Sequence, residues 1–189
     1  MYLDLGCCLG QDLRRLYIDG VRPSQLVGLD LVADFNRLGY DLFCDADRFS
    51  FEFHALDIME VNEEAWQPLR GRFDVIHMTS FLHIWSWEGQ VKAASRISSF
   101  TKPGSVLVGS GLGSRTGGEF PNLEGTGTNY RQSEASFSKL WLEVSRMTQT
   151  KWEMSKILFK PMEASRMNMN QAWAEPDMGI LYFEITRLQ

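Results

Sequence analysis

The sequence predicts an α/β fold, a mostly parallel sheet with helices on both of its faces. Three observations predict it. The chain opens on a short apolar run, a glycine turn and a helical pattern, Tyr2 to Asp12 and beyond. Short apolar runs then alternate with helical periodicities, the pattern of a parallel sheet built from crossover units. The last two strand-like runs have no helix between them, which implies an antiparallel addition at the end.

Each element follows from its residues. Tyr2, Leu3 and Leu5 form the first strand, and Gly6 and Gly10 give the turn backbone freedom. From Gln11, a helix places Leu13, Leu16 and Tyr17 on one face, and Gly20 and Pro23 stop it. Gln25 to Leu31 is a second apolar run containing Asp30, and Phe35, Leu38, Leu42 and Phe43 fall at helical spacing. Phe49, Phe51, Phe53 and Ala55 alternate with polar residues as a strand does, leaving His54 exposed. Asn62 caps a short helix carrying Trp66 and Leu69. Phe73 to Ser80 is a fourth strand and its exit, Gln90 to Phe100 a helix, and Lys102-Pro103-Gly104 a turn before the strand Ser105 to Gly109. Gly111 to Asn129 is rich in Gly, Ser, Thr and Asn and reads as a long loop. Ser133 begins a helix with Phe137, Leu140, Trp141, Val144 and Met147 facing the core. Lys156 to Phe159 and Gly179 to Ile185 are the closing strands, with an irregular segment from Pro161 to Met178 between them.

Composition bounds the function. With 189 residues, 44% hydrophobic and 23% charged, the expectation is one globular domain spanning 1–189. A net charge of -5 favours neither nucleic acid nor an anionic membrane. No apolar run approaches the roughly 20 residues that span a bilayer. The first residues are already a core strand, so no signal peptide is expected and the cytoplasm is the expected compartment. The three cysteines, Cys7, Cys8 and Cys44, give neither a disulfide framework nor a metal-ligand pattern.

In sheets of this kind ligands bind at the carboxyl ends of the strands, near which Asp4, Asp30, Asp57 and Thr79 lie. An adenosyl ligand needs an acid at the end of the second strand to accept from both ribose hydroxyls, and Asp30 stands there. It needs a polar partner and an apolar wall for adenine, and Asp57 and Ile58 offer both. Each acid also has a plainer use as a cap or turn residue.

These residues resemble a known family. Asp4-x-Gly6-x-Cys8-x-Gly10 is similar to the first motif of class I S-adenosylmethionine-dependent methyltransferases. Asp30, Leu56-Asp57-Ile58, Phe73-Asp74-Val75-Ile76 and Lys102-Pro103-Gly104 resemble the later motifs in the right order over nearly the whole chain. Leu5 to Asp12, Gly28 to Leu31, and Ser80 to Trp85 followed by Trp87 resemble the fungal methyltransferases of meroterpenoid and related secondary-metabolite pathways. The resemblance implies a Rossmann-like, seven-stranded methyltransferase sheet without its usual N-terminal cover helices, and S-adenosylmethionine as cofactor. It implies cofactor contacts from Asp4, Gly6, Gly10, Asp30, Leu31, Asp57, Ile58 and Thr79. Cys8 stands where the general motif has glycine, and the expectation is an ordinary backbone conformation there.

The implied reaction is methyl transfer to an oxygen, carboxylate or hydroxyl, of an apolar small molecule derived from a terpenoid or polyketide. His83, among Phe81, Trp85 and Trp87, is the first candidate base, and His77 the second. A satisfied core histidine is the plainer reading of His77. Tyr130 and Arg131 are candidate substrate residues, since a guanidinium pairs with a carboxylate, although a solvated loop cation is the plainer reading of Arg131. Two alternatives stand beside this one. The first is a non-catalytic remnant or interaction subunit, or a homodimer covering an apolar face. The second is a nicotinamide-dependent oxidoreductase, whose glycine spacing Gly6-x-Cys8-x-Gly10 does not fit.

Overall fold

The structure, a computed structural model, describes residues 1–122, 125–162, 175 and 177–189. In chain order its elements are β1 (Tyr2–Leu5), α1 (Gln11–Ile18), β2 (Leu26–Asp30), α2 (Asp34–Phe43), β3 (Glu52–Ala55), β4 (Phe73–Thr79), α3 (Trp87–Phe100), β5 (Thr101–Ser114), β6 (Gly118–Pro121), β7 (Thr128–Arg131), α4 (Glu134–Thr148), β8 (Trp152–Pro161) and β9 (Met178–Arg187). Seven strands form one sheet in the order β3-β2-β1-β4-β5-β9-β8. β1 to β5 run parallel, and β9 is antiparallel to both β5 and β8. Among the described residues no helix is long and apolar enough to cross a membrane.

Burial explains the strand sequences. A sheet covered on both faces buries successive side chains, so its strands read as apolar runs. Leu3, Leu5, Val27, Leu29, Ile76 and Leu107 pack with Ile97 and Phe100 of α3 and with Phe137, Leu140 and Trp141 of α4. Cys7, Leu13, Leu26 and Phe49 form a second cluster, joined by Tyr2, Leu16, Phe51 and Phe53. The caps are those expected. Asn62 accepts from the Glu64 amide ahead of a short 3-10 helix (Glu63–Leu69), and Ser133 makes a reciprocal capping box with Ser136.

Several expectations are corrected. Gly111 to Asn129 is not a plain loop: β5 continues to Ser114, paired with β9, and β6 and β7 form a hairpin. The third strand starts at Glu52, because Phe49 and Phe51 pack in the aromatic cluster before the chain reaches its partner Val27. On α2 the buried residue is Gly39, while Leu38, Leu42 and Phe43 face outward at 40%, 62% and 40% exposure. Met147 also faces outward, because Thr148 takes the inward position and bonds Val144 O and Thr150. His54 is half-buried rather than exposed, its Nε2 2.7 Å from Glu52 Oε1. The irregular segment predicted for Pro161 to Met178 lies mostly outside the described residues.

Candidate functional site

The turn after β1 is the best-defined part of the site. Gly6 and Gly10 hold φ of +71° and +73°, a left-handed conformation glycine adopts without a steric penalty. Cys8 does so as well, with φ +48°, which corrects the expectation of an ordinary conformation. For a residue with a Cβ this costs about 1–2 kcal/mol, so its surroundings must hold it. They do: the Cys8 amide donates to Asp30 Oδ2 at 2.8 Å, the Gly6 and Cys7 amides to Leu29 O at 2.8 and 3.2 Å, and the Gly10 amide to Cys7 O at 2.8 Å. Asp30 Oδ1 accepts from the Val32 amide at 3.1 Å. Asp30 Oδ2 thus ties the turn after β1 to the end of β2 while Oδ1 closes a local turn, and each retains a lone pair for a hydroxyl donor.

Asp4 and His77 are register partners on adjacent strands, which places them side by side. His77 Nδ1 donates to Asp4 Oδ1 at 2.9 Å, and His77 Nε2 lies 2.9 Å from Thr79 Oγ1. Burial pushes the Asp4 carboxyl up, against the pull of His77, and the Asp4 hydrogen bond raises His77 above its ordinary value. Asp4 is 2% exposed, and its Oδ2 is buried with no hydrogen-bond partner among the described residues. Asp12, in the first turn of α1, brings a carboxylate oxygen within 4.8 Å of this pair.

Asp57 ends the run after β3, exposed, with Oδ1 accepting from the Met59 amide at 2.9 Å. Ile58 is buried and Leu31 is 66% exposed. Asp30 and Thr79 close β2 and β4, Asp4 is the penultimate residue of β1, and Gly6 and Gly10 lie just beyond β1. All of these predicted residues therefore stand at the carboxyl end of the parallel strands.

His83 and Arg131 meet in a cleft of about 330 Å³, lined also by Ser80, Ile84, Leu112, Asn129 and Ile180. His83 Nδ1 is buried and has no hydrogen-bond partner among the described residues. Burial, and then the nearby Arg131 charge, lowers the His83 pKa, so its imidazole is neutral near pH 7. Arg131 is not a solvated loop cation. It is 3% exposed on β7, with its guanidinium carbon 4.7 Å from the Phe120 ring centroid and Nη1 3.7 Å from Glu175 Oε1. Tyr130 does not line this cleft and packs edge-to-face on Trp87 at 5.0 Å.

No family model matches the chain. It is 38% identical over 156 residues to O-methyltransferase phiE of a fungal species, a match covering 82% of this chain and 52% of that protein. It is 33% identical over 189 residues to O-methyltransferase atr3 of Stereocaulon alpinum, covering 98% of this chain and 53% of that protein. The solved structure of an S-adenosylmethionine-dependent methyltransferase of Methanosarcina mazei superposes with a TM-score of 0.67 at 13% identity, covering 100% of this chain and 92% of that one. The chain has the class I methyltransferase fold and is a relative of fungal O-methyltransferases. It spans about half the length of the curated relatives it matches first. A further neighbour is the N1-methyltransferase of 1,6-didemethyltoxoflavin from Burkholderia thailandensis, with bound S-adenosylhomocysteine (TM-score 0.66, 16% identity, 100% of this chain and 71% of that one). The [4+2]-cyclase SpnF also shares the fold (TM-score 0.63, 18% identity, 98% and 74%), so the fold alone does not set the reaction.

Sequence reasoning missed three features. Phe81 stands against the first glycine of the turn, 3.1 Å from where a Gly6 Cβ would be. The hairpin brings Pro121, Asn122 and Asn129 to the His83 cleft. Buried Arg14 pairs with half-buried Asp45 behind the turn. No local signal marks Phe81 or Arg14, since each sits in an ordinary periodic context. The hairpin had one signal, the alternation around Phe120 and Tyr130, which the surrounding glycines and serines masked.

Proposed function

We propose that the chain is an S-adenosylmethionine-dependent methyltransferase domain that methylates an oxygen of an apolar small molecule. The observation that carries this reading is that Asp4, Gly6, Gly10, Asp30 and Asp57 stand at or just past the carboxyl ends of the neighbouring parallel strands β1, β2 and β3, in a chain related to fungal O-methyltransferases. The residues present fit the cofactor. Asp4 offers a buried carboxylate oxygen, without a hydrogen-bond partner among the described residues, to a cationic group, and Asp30 offers two acceptors to ribose hydroxyls. Asp57 accepts from an adenine amino group, with Leu31 and Ile58 as apolar contacts.

When bound, S-adenosylmethionine supplies an electrophilic methyl group on a positively charged sulfur. The chain's residues then align the acceptor oxygen and keep water away. A carboxylate acceptor is already ionised at neutral pH and needs no base. Arg131 holds such an acceptor by paired hydrogen bonds. For a hydroxyl acceptor, neutral His83 is the candidate base. The acceptor class, terpenoid- or polyketide-derived, follows from the family resemblance.

A second reading is an interaction subunit that keeps the fold without the chemistry. The outward-facing Leu31, Leu38 and Leu42 favour it, and a homodimer is its simplest form. Calorimetric titration with S-adenosylhomocysteine separates the two. Micromolar binding, weakened at least about tenfold in Asp30→Ala by loss of charged hydrogen bonds, is expected. A folded chain that binds none, and that sediments as a dimer, would favour the interaction subunit.

A further inference from the structure

We propose that Arg14 is a positioning residue, holding the glycine turn in its ligand-binding shape through the Leu9 and Gly10 carbonyls. The inference rests on the reading of that turn as the methyl-donor site.

Arg14 lies on α1 and is 5% exposed. Its guanidinium donates on every side. Nε and Nη2 donate to Asp45 Oδ2 and Oδ1 at 2.7 and 3.0 Å, and Nη1 donates to Leu9 O at 2.6 Å and Gly10 O at 3.2 Å. The rings of Tyr40, Phe43 and Phe49 surround it, with centroids 5.0, 4.6 and 5.4 Å from its central carbon. The Leu9 carbonyl is also in contact with α2, where a Cβ on Gly39 would come within 2.3 Å of the oxygen. This carbonyl is therefore held from two directions.

The turn needs such a hold. Three of its residues, Gly6, Cys8 and Gly10, are left-handed, and Cys8 is strained there. The amides of Cys8 and Gly10 are tied by Asp30 and Cys7 O. Arg14 supplies the matching restraint on the carbonyl side. Stability alone does not explain an arginine here, because a buried ion pair is often no better than well-packed apolar side chains. What the apolar alternative cannot do is donate to two backbone carbonyls while a carboxylate orients the donor plane. Asp45, between α2 and β3, sets that plane, so the shape of the turn depends on a residue far along the chain.

The test is calorimetric titration of S-adenosylhomocysteine into the wild-type chain, Arg14→Met, Asp45→Asn and a control, Ile97→Ala, in the other core cluster. The affinity is expected to fall about tenfold or more in Arg14→Met, as loss of charged hydrogen bonds would give, and also to fall in Asp45→Asn. Millimolar methylguanidinium should restore part of the affinity lost in Arg14→Ala, whose shortened side chain leaves room for it, and none of that lost in Asp45→Asn. Ile97→Ala should lower the urea midpoint and leave the affinity of the folded chain unchanged. Wild-type affinity in both Arg14→Met and Asp45→Asn would overturn the inference. Should Arg14→Met not fold, Asp45→Asn decides alone. No binding by the wild-type chain would instead remove the cofactor reading, and this inference with it.

Discussion

A histidine that donates to a buried carboxylate titrates above its ordinary value, and His77 does so beside Asp4. A raised value means that the folded chain binds its proton more tightly than the unfolded chain. The stabilisation is therefore complete below the unfolded value of 6.5 and declines as pH rises through the folded value. Asp4, raised by burial, tilts stability the same way from its unfolded value of 3.8 upward. His77→Asn should flatten the decline above pH 6.5 in urea midpoints followed across neutral pH. An unchanged slope would remove His77 as its source. At this scale the sequence was legible in its chemistry and less so in its conformation. Asp4, Asp30 and Asp57 could be picked out because acids at strand ends are rare in apolar runs. Cys8 could not be assigned its left-handed φ, because that depends on Asp30 reaching across from β2.

Helix α2 shows what periodicity leaves open. Its apolar spacing is real, yet the face that packs inward is the one carrying Gly39, because only a residue without a side chain lets the helix reach Leu9 O. Alanine in an exposed helix would gain about 1 kcal/mol over glycine. Here the new Cβ would lie 2.3 Å from a backbone oxygen, so overpacking decides the sign. Gly39→Ala should destabilise the chain by roughly 1–3 kcal/mol, measured by urea unfolding. Wild-type or higher stability would show that helix and turn separate freely. The parallel strands, by contrast, were legible because burial on both faces writes itself as short apolar runs. The β6–β7 hairpin was not, since neither of its strands carries such a run and both pair outside the main sheet.

Across the whole molecule the larger cluster joins β1, β2, β4, β5, α3 and α4, so a cavity anywhere in it weakens both halves of the sheet. Trp66 is 0% exposed and its ring centroid lies 5.6 Å from that of Phe100. Trp66→Ala should cost about 3–5 kcal/mol, a large part of a domain's roughly 5–15 kcal/mol. Denaturant unfolding checks it, and a midpoint shift with unchanged slope is expected. A loss under about 1 kcal/mol would mean that the short Glu63–Leu69 helix is not part of the cooperative core.

The strand order has a consequence for how the chain is made. β9 follows β8 in the chain but lies between β5 and β8 in the sheet. On the ribosome, β5 and β8 must both wait with open edges until Met178–Arg187 has emerged. Until then β8 has no sheet to join, and each waiting edge is a template for another chain. A nascent or truncated chain stopping short of Met178 is thus an aggregation hazard, and a chaperone that shields strand edges would have its task at that stage of synthesis.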